Sequence, residues 1–229
     1  MRRIGLVGGM SWESSALYYR LVNQAVARSL GGLHSADMIL ASVDFAPVAA
    51  MQSAGQWDEA GDLLNARARE LADAGCTVIG LATNTMHKLA ERMMAGIDAE
   101  FVHIADPTAT ALKTDGFERV GLLGTRFTME ERFYRDRLAS HGFDVLVPDV
   151  GITELDGIIY GQLCRGIVTE PSRRTYVDAI ARLAERGAEA VILGCTEITL
   201  LISDDVSPLP TYDTTALHAE ALAAAALAP

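Results

Sequence analysis

The chain has 229 residues, 50% hydrophobic and 21% charged, which is enough for one large folded domain or two smaller ones. Its formal net charge of −11 at pH 7 argues against nucleic acid or an anionic membrane as a partner. No apolar run approaches a membrane span, and the N-terminus is interpreted as a first strand rather than a secretory signal, so we expect a cytoplasmic protein.

Short β-branched segments alternate with helix-length segments along the whole chain. The strand candidates are "RIGLVGG", "ADMILASV", "CTVIGLA", "ERVGLLG", "FDVLVP" and "EAVILG". The stretches predicted as helices between them include 13–29, 57–74, 129–140 and 172–186. Thr128 with Glu131 fits a capping box, and Asp213 is placed to cap a final Ala-rich helix. This alternation predicts mostly parallel sheets covered on both faces by helices.

Two segments of the first half recur in the second half. "RIGLVGGMSWESSALYY" (3–19) resembles "RVGLLGTRFTMEERFYR" (119–135), and "AGCTVIGLATNT" (74–85) resembles "RGAEAVILGCTE" (186–197). Because the order and the spacing both match, a duplicated domain is favoured over a chance likeness. We therefore predict an α/β fold of two pseudo-symmetric α/β/α lobes with mostly parallel sheets and an active site in the inter-lobe cleft.

The lobe boundary is expected within "AEFVHIADP". Residues 1–103 are predicted to form the first α/β lobe, and residues 104–208 the second. The closing segment 209–229 is expected to return to the first lobe.

The second repeat aligns Thr83 with Cys195. Both residues follow a predicted strand, and in open parallel sheets ligands bind beyond the carboxyl ends of the strands. If the lobes face each other, these two side chains would approach a substrate from opposite sides. Racemisation by direct proton transfer needs that arrangement, because one group removes the α-proton and another returns a proton to the other face.

Of the three cysteines, Cys195 is the candidate for this chemistry, because it stands at a strand end beside Thr196 and Glu197. At the start of a predicted helix its thiolate would be stabilised by backbone N–H groups, which lowers the pKa of a thiol. Cys76 and Cys164 lie inside strand or helix patterns and are interpreted as structural. The three lack metal-ligand spacing, so no metal is expected.

Six segments spread over essentially the whole chain match a known pattern: "GLVGGMSWESS", "LGGLHSADMILASVDF", "TNTMHK", "LLGTRFTMEERFY", "GCTEI" and "YDTTALHAE". Through these segments the chain resembles the cofactor-independent aspartate/glutamate racemase family, close to its broad-specificity amino-acid racemase branch. The resemblance implies two α/β lobes, a site between them, commonly a homodimer, a small amino-acid or dicarboxylate substrate, and no pyridoxal, metal or nucleotide cofactor.

The resemblance places the family's second catalytic cysteine on Cys195 and its first on Thr83, where a "CNT" pattern reads "TNT". It implies that the α-carboxylate is held by hydroxyl and amide groups and that further residues line the pocket. These expected substrate-binding residues are Met10, Gln52, Asn84, Thr85, Thr125 and Thr196. Glu197 follows the thiol by two residues and is interpreted as orienting Cys195 or the substrate ammonium group.

Two departures from the family pattern bear on the chemistry. A threonine hydroxyl barely ionises near neutral pH, so Thr83 either passes a proton through water or only positions the substrate. Aspartate-specific relatives are expected to carry a basic residue soon after the second strand, but here that region reads "DFAPVAAMQ" (44–52). Arg126 or Arg165 would have to take its place.

Three functions remain open on the sequence alone. The first is an amino-acid racemase acting on aspartate, glutamate or a broader range, with Cys195 as one acid–base group and Thr83 in place of the other. The second is a single-cysteine decarboxylase or isomerase of a dicarboxylate, in which one acid and a set of hydroxyl donors serve an enediolate-like intermediate. The third is a non-catalytic binder of amino acids or dicarboxylates.

Overall fold

Two four-stranded parallel sheets form the framework of the protein in a computed structural model that describes residues 1–228. Met1–Ile104 and the C-terminal segment that starts at His218 form one compact unit, and Ala105–Leu217 form the other. Each unit contains one sheet with its own helices. Across the described residues, no helix combines the length and the apolar character needed to cross a membrane.

In the first unit, the sheet alternates with helices as the sequence pattern predicts. Its elements in chain order are β1 (Ile4–Gly8), α1 (Trp12–Leu30), β2 (Met38–Ser42), α2 (Phe45–Ala54), α3 (Trp57–Asp73), β3 (Val78–Leu81), a 3-10 helix (Thr85–Leu89), α4 (Ala90–Met93) and β4 (Glu100–Phe101). The strand order is β2-β1-β3-β4, and all neighbours are parallel.

Successive side chains of β1 point to opposite faces of the sheet, so they pack in two separate cores. Leu6 packs with Tyr18 of α1 and with Leu222 near the C-terminus, on one face of the sheet. Val7 packs on the other face, in a cluster that includes Leu64 of α3. The sheet is therefore covered by helices on both faces, which is why its strands are almost continuously apolar.

The second unit repeats this plan. Its elements are α5 (Ala105–Thr114), β5 (Arg119–Gly124), α6 (Arg126–Glu130), α7 (Arg132–Ser140), β6 (Asp144–Leu146), α8 (Ile152–Gly161), a 3-10 helix (Leu163–Arg165), α9 (Glu170–Glu185), β7 (Ala190–Gly194), a 3-10 helix (Thr196–Leu200), β8 (Thr211–Asp213) and the start of α10 (Thr214–Leu227). Its strand order, β6-β5-β7-β8, is the same as in the first unit. The predicted α/β class with two lobes is therefore confirmed.

The main core of the second unit lies on one face of its sheet. Leu123 of β5 and Leu193 of β7 pack there against Ile158 of α8 and Ile180 of α9. Tyr176 of α9 is fully buried in this cluster, and its hydroxyl donates to the Leu155 carbonyl 3.0 Å away. The polar end of a large core residue is thus satisfied inside the apolar layer.

Some local features differ from the sequence predictions. The short strands β4 and β8 were not predicted, because their few residues carry no periodic pattern. Thr125, rather than Thr128, caps the helix after β5 by accepting from the Thr128 N–H. The predicted cap at Asp213 is confirmed, since its carboxylate accepts from the Thr215 N–H at 2.9 Å.

The chain returns to the first unit later than the sequence led us to expect. We placed this return at residue 209, whereas the division between the units falls at His218. The reason is that β8 pairs with β7, with Asp213 opposite Leu193, which keeps residues 209–217 in the second unit.

Candidate active site

In the first unit, the predicted site residues gather at the carboxyl edge of the sheet. Val7 of β1 lies opposite Leu81 of β3, so the segments that carry Met10 and Thr83 leave the sheet at the same edge. Met10 is only 7% exposed and Gln52 only 5%. The Gln52 side-chain amide donates to the Met86 sulfur 2.8 Å away, which ties α2 to the 3-10 helix after β3.

The turn after β3 holds Thr83 mainly through its backbone. The Thr83 N–H donates to the Leu81 carbonyl at 2.9 Å, and the Thr83 carbonyl accepts from Nδ1 of His87 at 2.7 Å. The Thr83 side chain is half-buried, while Asn84 and Thr85 beside it are buried. The structure thus brings together all the predicted site residues of this unit at one sheet edge.

In the second unit, two glycines allow the strand ends to approach closely. Gly124 of β5 lies opposite Gly194 of β7. A Cβ on Gly124 would lie 2.9 Å from the Gly194 carbonyl oxygen, and a Cβ on Gly194 would lie 2.8 Å from the Leu123 carbonyl oxygen. Neither position has room for a side chain, so glycine is needed at both strand ends. Thr125 and Cys195 are the next residues along the two closely packed strands.

The Cys195 thiol is paired with a carboxylate. Cys195 is half-buried with extended backbone, and its Sγ donates to Oε2 of Glu197 at 3.0 Å. Burial raises the pKa of Cys195 well above its usual value of 9.0, and the negative charge of Glu197 raises that pKa further.

This direction corrects the expectation of a thiolate stabilised at a helix start. The Glu197 backbone N–H does lower the pKa of Cys195, but burial and the Glu197 carboxylate outweigh it. The helix that follows Cys195 is also only a short 3-10 helix, Thr196–Leu200, which offers a weak dipole.

The remaining predicted residues of this unit lie at the same sheet edge. Thr125 is 6% exposed, and its hydroxyl lies 3.2 Å from that of Thr128. The Thr196 hydroxyl lies 3.0 Å from the hydroxyl of Thr215. Thr215 is fully buried and was not singled out from the sequence, although it falls within the quoted segment "YDTTALHAE". Its position two residues after β8 was the signal that could have identified it.

Two further residues, Tyr160 and Cys164, lie close enough to Cys195 to interact with it electrostatically. Burial raises the pKa of Tyr160, and negative charge on Cys195, Asp156 and Cys164 raises it further. Cys164 also packs against the same apolar cluster as Cys195. Cys164, interpreted from the sequence as structural, therefore belongs to the surroundings of the candidate acid–base group, and no sequence pattern links the two.

The two arginines considered for a substrate carboxylate are exposed. The Arg126 guanidinium lies 3.8 Å from the Glu130 carboxylate, while its backbone N–H donates to Asp156 at 2.7 Å. Among residues 1–228, no group of three or more His, Cys, Asp or Glu side chains is arranged to hold a metal ion. The predicted site residues themselves offer a thiol, a carboxylate, hydroxyls and amides.

Comparison with known proteins gives this arrangement a context. Residues 7–222 match the sequence profile of the family described as Asp/Glu/Hydantoin racemase. A candidate Asp/Glu racemase from Yersinia pestis is 48% identical, with a TM-score of 0.93 and 100% of both chains covered. An aspartate racemase homologue from Pyrococcus horikoshii OT3 is 30% identical, with a TM-score of 0.84 and 99% of both chains covered.

One relative found by sequence bears the name of an enzyme. Glutamate racemase 3 of Caldanaerobacter subterraneus subsp. tengcongensis is 27% identical over 122 residues, which cover 53% of this chain and 43% of that enzyme. The match thus spans less than half of the glutamate racemase.

Proposed function

Because the chain belongs to the Asp/Glu/Hydantoin racemase family, we propose that it is a cofactor-independent amino-acid racemase. The observation that carries this proposal is the contact of 3.0 Å between the Cys195 thiol and the Glu197 carboxylate after β7. A thiol is a proton donor, and a carboxylate beside it is a proton acceptor. Such a pair can both give and take a proton, as racemisation requires of each catalytic group.

Cys195 is the proposed catalytic residue for one face of the substrate. In the resting state the raised pKa of Cys195 keeps the proton on sulfur, so the thiol is ready to protonate a carbanion at the α-carbon. In the opposite direction, the S–H proton first passes to Glu197. The resulting thiolate then takes the α-proton, which leaves the electron pair of the C–H bond on the α-carbon and its carboxylate.

Thr83 takes the position at which a second catalytic thiol would act. Its hydroxyl serves the other face of the α-carbon either by relaying a proton through water or by positioning the substrate. Proton transfer on the two faces would then be unequal. An enzyme cannot change the equilibrium between enantiomers, so this inequality would appear only in the rates.

We propose that the substrate's α-carboxylate is bound by hydroxyl and amide groups of Asn84, Thr85 and Thr196. Met10 and Gln52 are buried in the same unit as Thr83, and residues 44–52 offer no basic side chain for a second carboxylate. This supports a substrate range that includes aspartate and glutamate but extends to other amino acids. The family resemblance further supports a homodimer, which analytical ultracentrifugation would test, and the sparse cysteines support a cytoplasmic location.

Deuterium uptake at the α-carbon in D₂O tests the proposal, with L- and D-amino acids including aspartate and glutamate as substrates. The variants are Cys195→Ala and Thr83→Cys. Cys76→Ala is the control for loss of a buried thiol, because Cys76 packs in the core of the first unit. We expect exchange in wild type and in the control, and its loss in Cys195→Ala by a factor of about 100 or more.

Absence of exchange on every amino acid would overturn the racemase proposal. Turnover of a substituted malonate would then support the single-cysteine decarboxylase or isomerase. Thermal stabilisation by amino acids without any exchange would support a binding protein.

A further inference from the structure

We propose that His87 is a positioning residue for Thr83, and that it acts as the neutral imidazole with its proton on Nδ1. The inference rests on the proposed function in one respect, because it gives His87 a catalytic consequence through Thr83. Its structural part concerns two hydrogen bonds within the first unit, which can be tested whether or not the protein is a racemase.

The partners of the His87 ring determine which nitrogen carries the proton. Nδ1 lies 2.7 Å from the Thr83 carbonyl oxygen, and Nε2 lies 3.1 Å from the Ile104 backbone nitrogen. A carbonyl oxygen can only accept and a backbone N–H can only donate. Nδ1 must therefore be the donor and Nε2 the acceptor, which is the neutral Nδ1–H form.

The ring is also held in place by its neighbours. His87 is 3% exposed, and its ring lies edge-on to His103 with centroids 4.5 Å apart. Phe101 and His218 lie 5.7 and 5.9 Å from it. Packing on several sides leaves little freedom to rotate, so the direction of the Nδ1–H bond is constrained.

The bond to Thr83 matters because it restrains a segment outside regular structure. Thr83 lies between the end of β3 at Leu81 and the 3-10 helix that begins at Thr85. Because Thr83 lies beyond the end of β3, its carbonyl is outside the hydrogen-bond pattern of the sheet, and the His87 ring supplies a donor for it. The other ring nitrogen joins this turn to Ile104, the last residue of the first segment of this unit.

This arrangement gives His87 a specific effect on catalysis. Fixing the Thr83 carbonyl fixes the backbone from which the Thr83 hydroxyl projects. A displacement of about 1 Å at a reacting group can reduce a rate by up to about 100-fold. Loss of the Nδ1 contact should therefore lower kcat, while loss of the Nε2 contact alone should not.

Two amide substitutions separate the two contacts. The amide nitrogen of Asn lies near the position of Nδ1 in histidine, so His87→Asn can still donate to the Thr83 carbonyl. The amide of Gln extends to the position of Nε2, so His87→Gln can still accept from the Ile104 N–H. Each variant keeps one contact and loses the other. His141→Asn is the control for loss of a histidine contact elsewhere, because Asn does not extend to the Nε2 position, and Nε2 of His141 lies 2.9 Å from Asp106 in the second unit.

We expect His87→Gln to lower kcat for α-proton exchange by about 10-fold or more with KM nearly unchanged, and His87→Asn to stay within about 3-fold of wild type. The His87→Gln effect should shrink when Thr83→Ala is already present. The control should leave kcat unchanged. Equal losses in both His87 variants, or an undiminished loss in the Thr83→Ala background, would overturn the positioning role.

The ring nitrogen shifts of ¹⁵N-labelled wild-type protein at pH 7 test the structural part without any activity. The neutral Nδ1–H form is expected for His87, identified by loss of its signals in His87→Gln. The Nε2–H form, or the imidazolium, would overturn the inference. If wild type shows no α-proton exchange but the Nδ1–H form is found, the proposed function fails and the His87 contact with Thr83 stands.

Discussion

The Sγ atom of Cys195 donates a hydrogen bond to Oε2 of Glu197, two residues further along the chain, at 3.0 Å. Cys195 directly follows β7 and Glu197 lies in the 3-10 helix that begins at Thr196, so the contact is local and does not depend on distant parts of the chain. It keeps the proton on sulfur because a thiolate would face a carboxylate at hydrogen-bond distance. The pair is therefore the centre of the chemistry proposed for this protein.

Replacing Glu197 with glutamine should lower the pKa of Cys195. The substitution removes a negative charge that favours the protonated thiol, so thiolate should form at lower pH than in wild type. The appearance of thiolate absorbance near 240 nm, taken as the difference from Cys195→Ser, measures this. Glu185→Gln, which changes an exposed carboxylate on α9, is the control. An unchanged titration would mean that burial alone raises the pKa of the thiol.

The proposed roles of Cys195 and Thr83 predict that the two enantiomers differ in their initial rates of deuterium uptake at the α-carbon, measured at matched saturation. A well-placed general acid or base contributes roughly 10²- to 10⁴-fold to a rate, and a threonine hydroxyl lacks most of that contribution. Thr83→Cys should make the two rates more nearly equal, whereas Thr83→Ser, which keeps a hydroxyl, should not. Comparable rates from both enantiomers in wild type would count against unequal proton transfer.

Thr215 is expected to support substrate binding through Thr196. The two hydroxyls lie 3.0 Å apart, and Thr215 is fully buried. Thr215→Val keeps the shape but removes the hydroxyl, so it should raise KM about 5-fold, the equivalent of one hydrogen bond of about 1 kcal/mol, with little change in kcat. Thr215→Ser should behave like wild type. A fall in kcat at constant KM would instead assign Thr196 to the chemical step.

Gly9, which precedes Met10, should tolerate a side chain less well than Gly31, which follows α1. Both have positive φ, +95° and +72°. A Cβ on Gly9 would lie 2.2 Å from the Val43 carbonyl oxygen, whereas one on Gly31 would meet nothing within 4 Å. Gly31→Ala should therefore lower the free energy of unfolding by about 1 kcal/mol and Gly9→Ala by about 3 kcal/mol or more. Urea unfolding measures both, and equal losses would mean that Val43 moves aside freely.

Much of the fold could be predicted because its signals are local. The strands β1, β3, β5 and β7 are buried on both faces, so each is a continuous apolar run that stands out in the sequence. The recurrence of two such segments in the same order also predicted two lobes. The short strands β4 and β8 could not be predicted, because two or three residues carry no period and pair only where a neighbouring strand has an open edge.

The placement of Thr83 and Cys195 after strand ends could be predicted, but the direction in which the pKa of Cys195 shifts could not. Thr83 and Cys195 each come soon after an apolar strand, which places each residue at the carboxyl edge of the sheet in its own unit. The pKa of Cys195, however, was expected to fall and is raised instead. A helix start can be read from nearby residues, whereas burial depends on parts of the chain that pack around the thiol.

By itself, the sequence determined the alternation of strands and helices, the duplicated plan and the strand ends that carry hydroxyl and thiol groups. These follow from side-chain period and from residues adjacent in the chain. Only the tertiary structure decided that Cys164 lies in the surroundings of Cys195, that Thr215 supports Thr196 and that His87 joins Thr83 to Ile104. Except for the local bond between His87 and Thr83, those contacts join separate segments of the chain, and they exist only once the packed core has brought the segments together.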